Sequence, residues 1–132
     1  WGRTYNGGSI DGATALVLDA TGDNIYLTGG STPIAGQKNF LTLKYDNNGN
    51  QLWSVNYDNG GIDEATAIVI DGSGDIYVSG SSDGGGADDF DFVTLKYDSD
   101  GIKTWGTRRV TTITGKIGLS KSLPIPEAKL IL

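Results

Sequence analysis

The chain has 132 residues, 10 Lys/Arg against 16 Asp/Glu for a formal charge of −6, and no cysteine, histidine or methionine. The missing Cys and His exclude disulfides, thiolate or imidazole metal sites, haem ligation through either residue and nucleophilic schemes built on them. No apolar run approaches the roughly 20 residues that a membrane-spanning helix needs, while 21 glycines beside 3 prolines describe short strands and many turns.

The elements come in two copies. Trp1, Trp53 and Trp105 recur every 52 residues, and the text between them repeats. The chain opens on Trp1 to Tyr5, which the phase of the repeat makes the outer strand of a preceding unit. The first unit spans residues 6–57 and the second 58–109. Each begins with a run of strand character, Ala13 to Asp19 and Ala65 to Asp71. In the second copy Ala65, Ala67 and Val69 are placed on one side and Thr66, Ile68 and Ile70 on the other, both sides reading as buried. Asp-x-x-Gly-Asp turns the chain into Ile25 to Thr28 and Ile76 to Ser79, which Gly29 and Gly80 are expected to close.

A Gly/Ser-rich loop then leads to Phe40 to Tyr45 and Phe92 to Tyr97. Alternation in this run puts Leu43 and Tyr45 opposite Thr42 and Lys44. The turns Asp46-Asn47-Asn48-Gly49 and Asp98-Ser99-Asp100-Gly101 lead to Leu52 to Tyr57 and to Ile102 to Arg109, with Trp53, Val55 and Tyr57 on one face. Four antiparallel strands per unit, the inner one rich in small residues, predict an all-β fold of two β-propeller blades plus the orphan N-terminal strand. The rungs of a β-solenoid are shorter and lack this punctuation.

The pattern Asp-x-Ala-x-Ala-x-Val-x-Asp, then Gly-Asp, Ile-Tyr-x-x-Gly and Phe-x-Thr-Leu-Lys-Tyr-Asp-x-x-Gly-x-x-x-Trp, resembles the bacterial seven-bladed β-propeller repeat family (the SBBP repeat) over residues 1 to about 106. The resemblance implies a repeated module of a large secreted or surface-attached bacterial protein, and it brings no catalytic motif. A closed propeller takes roughly four to eight blades, so two need partners. Those partners are further blades of a parent protein or copies of the chain itself, with a glycan or a surface protein as a further ligand class. The lack of methionine and the opening in mid-pattern read as a processed chain or part of a longer one.

The tail, residues 110–132, breaks the pattern. Arg109 stands where Tyr is expected, and over residues 107–132 five cations (Arg108, Arg109, Lys116, Lys121, Lys129) face Glu127 alone, whereas residues 1–106 are strongly acidic and should repel nucleic acid and anionic membranes. Val110 to Thr114 has strand character, so Val110 and Ile113, with Trp1 and Tyr5, are candidate interface residues for strand donation. A linker is the plainer reading of the same tail.

Two features invite chemistry. Asp46, Asn48, Asp98 and Asp100 offer oxygen ligands for calcium, but the acidic residue an EF-hand needs eleven positions after its first ligand is Tyr57 or Arg109 here. Turn geometry explains these residues without a metal. Asp88, Asp89 and Asp91 form an acidic loop that would suit calcium or a sugar, and a carboxylate pair is the minimum for glycoside hydrolysis. No cofactor is required by any motif. The sequence therefore predicts a non-enzymatic structural or adhesive module, extracellular or at the cell surface. A self-assembling subunit that exchanges strands is the alternative, and a glycan-binding or glycan-active protein the third reading.

Overall fold

The computed structural model describes residues 1–84 and 90–109, with backbone alone for 106–109. They form two antiparallel four-stranded sheets. The first is β1 (Ile10–Leu18), β2 (Asn24–Ile34), β3 (Gln37–Asp46) and β4 (Gln51–Tyr57). The second is β5 (Asp63–Ile70), β6 (Ile76–Ser82), β7 (Asp91–Tyr97) and β8 (Lys103–Arg109). Strand order follows chain order in each, so every connection within a sheet is a hairpin. The chain is thus two four-stranded units in sequence.

Alternation gives each sheet two faces. The front of the first carries Ile25, Leu27, Leu41, Leu43 and Tyr45, a small cluster that Tyr5 joins. Its back carries Tyr26 and Phe40, with Trp53, Val55 and Tyr57. These pack against the front of the second sheet, where Ala65, Ile68, Ile76, Val78, Val93, Leu95 and Tyr97 are buried. Polar bonds cross the same contact. Thr14 Oγ1 donates to the Ala65 carbonyl at 2.7 Å, Lys44 Nζ to the Ser99 carbonyl at 3.0 Å, and Lys38 Nζ pairs with Glu64 Oε1 at 2.6 Å.

Three expectations need correction. Gly29 and Gly80 do not end their strands, because β2 and β6 run on to Ile34 and Ser82. They are glycines because β1 and β5 pass very close: a Cβ on either would lie 2.0 Å from a backbone carbonyl, of Gly12 or Glu64. At that crossing the register shifts between Ala13 and Ala15 and between Ala65 and Ala67, a β-bulge that breaks the period of two. Ala65 and Ile68 therefore share the buried face instead of opposing one another. Nor is the inner strand buried on both sides, because Val69 and, in β1, Leu16 and Leu18 are exposed. Trp1 to Tyr5 carries no strand pairing among the described residues, which do not include the preceding sheet it was expected to join.

The glycine argument predicts a contrast. Gly80→Ala should destabilise the chain by about 2–4 kcal/mol, since the new methyl meets backbone that cannot yield. Gly72→Ala, where a Cβ meets nothing within 4 Å, should stay within about 1 kcal/mol. Urea unfolding midpoints of the two variants measure both, and equal losses would refute the close-approach account.

Candidate interaction faces

Among the described residues, no sheet lies against the front of the first sheet. A cavity of about 310 Å³ opens there, lined among others by Leu16, Ile25, Leu27, Leu41 and Tyr45. Its walls repeat, one for one, the walls that the second sheet presents to the first: Leu16 corresponds to Ile68, Ile25 to Ile76, Leu27 to Val78 and Tyr45 to Tyr97. The difference is cover. Leu16 is 58% exposed and Ile68 only 7%.

Part of this front is covered by the N-terminal segment. Trp1 Nε1 donates to the Asn47 carbonyl at 2.9 Å, and Arg3 Nε donates to the Gly49 carbonyl at 2.6 Å. The Trp1 ring lies on Gly49, whose φ is +80°, and a Cβ there would stand 2.7 Å from Trp1 Cδ2. Fifty-two residues on, Trp53 does the same: Nε1 donates to Ser99 O at 3.1 Å, and the ring lies 2.9 Å from where a Gly101 Cβ would stand. The expected interface residues Trp1 and Tyr5 therefore meet the first sheet's front, with Tyr5 packed against its cluster.

The back of the second sheet, too, has no sheet against it among the described residues. It carries Val69, Tyr77, Ser79, Thr94 and Trp105, and Phe92, which is 71% exposed where its counterpart Phe40 is 1% exposed. Lys96 lies over the Tyr77 ring and pairs with Asp75 at 2.7 Å. Lys96 thus pairs within its own sheet, while Lys44 reaches across to the next sheet's turn.

The acidic turn residues are engaged by their own backbone. Asp46 accepts from the Asn48 and Asn50 amides at 2.9 and 2.8 Å and from Asn50 Nδ2 at 2.8 Å. Asp98 accepts from the Asp100 and Ile102 amides at 3.0 and 2.9 Å, and the Asn48 and Asp100 side chains lie exposed. Among the described residues no three acidic side chains gather as a metal group. Asp91 is buried in β7, and Asp88, Asp89, Val110 and Ile113 lie outside the described residues.

Sequence reasoning passed over one polar group. Asp63 is fully buried, accepts from the Asn59 amide at 2.7 Å, and its Oδ1 has no hydrogen-bond partner. Its counterpart Asp11 takes the Gly7 amide at 2.8 Å and the Ser31 hydroxyl at 2.5 Å. The repeated Asp at the start of each unit was the visible signal: it holds the incoming chain. Compared with protein-family models and with curated protein sequences, the chain matches none of them.

These carboxylates set the acid response. The Asn24 side chain and amide hold Asp19 down at about 2, and Asn50 lowers Asp46 in the same way. At Asp71 burial opposes, but the Asp75 amide and the Tyr77 hydroxyl bring the net shift down. Burial raises Asp63 despite its bonds to Ser82 and Asn59. Depressed carboxylates stabilise the fold above their unfolded value of about 3.9 and lose that contribution as pH falls through the folded value. Stability should therefore drop mainly between about pH 4 and 2. Asp63 acts in the opposite sense, since its folded form holds the proton more tightly, so Asp63→Asn should deepen the acid loss. Urea midpoints from pH 6 to 2 check both signs.

Proposed function

We propose that the chain is a non-enzymatic stacking module of β-propeller blades, whose two end faces bind further blades. One observation carries this reading. Among the described residues, the front of β1–β4, met in part by the N-terminal segment, and the back of β5–β8 correspond residue by residue to the two halves of the contact already made between the sheets. Surfaces of this apolar character normally mark an interface, and repeat architectures bury them by adding neighbours.

The resemblance to the bacterial propeller repeat supports the same role and suggests its setting, a secreted or surface-attached protein in which the further blades belong to the parent chain or to another copy. The structural role we propose rests on that stacking.

A three-blade chain tests this, made by inserting a second copy of residues 6–57 between Tyr57 and Asp58. In a stack, each added unit contributes its own interface, so the melting temperature should rise by about 5 °C or more in a single transition. An added unit that unfolds separately, with the original transition unmoved, would show that the faces do not accept blades.

A further inference from the structure

We infer that a second copy of this chain docks head to tail, the back of its β5–β8 sheet on the front of β1–β4, and that Trp1 to Tyr5 occupy this docking site and must leave for the contact to form. The inference rests on the stacking reading above and adds the occupant and the control.

The internal contact is the template for the intermolecular one. The bonds that Trp53, Lys44 and Thr14 send between the sheets can each be moved on by one unit, whereas the Lys38–Glu64 pair cannot, its places being held there by Phe90 and Gly12. Trp53 Nε1 donates to Ser99 O and its ring lies on Gly101; moved on, Trp105 of the second copy donates to Asn47 O and lies on Gly49. Lys44 Nζ donates to Ser99 O, and Lys96 takes that part toward Asn47 O. Thr14 Oγ1 donates both to Thr28 O and, across the contact, to Ala65 O. Thr66 Oγ1 already makes the first of these bonds, to Ser79 O at 3.3 Å, and is exposed; its second acceptor is Ala13 O of the next copy. Phe92 would be covered as Phe40 is. Apolar bulk, indole donor, ammonium and hydroxyl thus all have their places waiting.

The incoming sheet arrives complete. β8 is paired to β7 along its length, from Phe92 opposite Arg109 to Tyr97 opposite Lys103, so the second copy brings its own outer strand and needs none donated. That sets face docking apart from strand exchange. It also creates a conflict at one spot, because Trp1 already donates to Asn47 O and lies on Gly49. Two indoles cannot share that glycine. Trp1 is the weaker holder: it is 66% exposed, and its segment has no strand pairing to anchor it.

The contact is heterologous, so a docked pair still offers one front and one back and continues to a closed ring or an open series. The test is sedimentation of the full chain, of a variant lacking residues 1–5, and of Trp1→Ser, which keeps the chain length. Both variants should self-associate at least tenfold more tightly than the full chain. Thr94→Arg added to either should return it to a monomer, because the corresponding Thr42 is 1% exposed in the internal contact and an arginine there has no room. Unchanged or weaker association on losing Trp1 overturns the control by the N-terminal segment. Variants that stay monomeric, or an oligomer indifferent to Thr94→Arg, overturn the second copy as occupant. The three-blade chain would still report on stacking alone.

Discussion

The contact between the back of the first sheet and the front of the second holds the molecule together, and its demands explain the rest. A four-stranded sheet with apolar residues on both faces can cover only one of them with a single neighbour. Hence corresponding residues have different fates. Phe40 and Ile68 are buried while Phe92 and Leu16 are open, although each pair shares its place in the repeat. Residue type sets the capacity for burial, and position in the stack decides whether it is used.

The turn between the third and fourth strands is the second half of that contact. Asp46 and Asp98 fold their turns by accepting amides two and four residues on, which places Gly49 and Gly101 at positive φ. A glycine is then required twice over, for the left-handed backbone and for the indole lying on it. The tryptophan and the turn that receives it belong to successive units. Their fixed spacing is therefore the signature of a neighbour, and the aromatic punctuation of the sequence records the stacking more directly than any strand does.

The strands were legible because alternation and turn residues act locally. All eight fall on the expected runs, and Trp53, Val55 and Tyr57 share a face as alternation requires. What was not legible depends on partners remote in the chain. Gly29 and Gly80 look like strand ends until the bulges of the neighbouring strands β1 and β5 are seen pressed against them, and the bulge at Ala65–Ala67 moves Ile68 to the other face with no local mark. The double burial read from the inner strand assumed neighbours on both sides. The faces themselves were written in the sequence, as matching residues in the two copies, but which of them a neighbouring sheet covers depends on contacts remote in the chain.

The two copies are not interchangeable, and this gives the stack a grammar. The internal contact carries the Lys38–Glu64 ion pair, and the Lys38 amide donates to Gly61 O at 3.1 Å. One unit on, the places of Lys38 and Glu64 are held by Phe90 and Gly12, an apolar pair with no charge to match. Both side chains of the ion pair are partly exposed, so its Coulomb contribution is small, of order 1 kcal/mol or less. Its larger effect is on choice. A front bearing Gly12 makes no demand for a lysine, whereas a front bearing Glu64 without one leaves a carboxylate at the rim of an apolar contact. The Lys38–Glu64 pair thus matches the second sheet's front to the first sheet's back, and in the stacking we propose the first sheet's front is the more permissive surface.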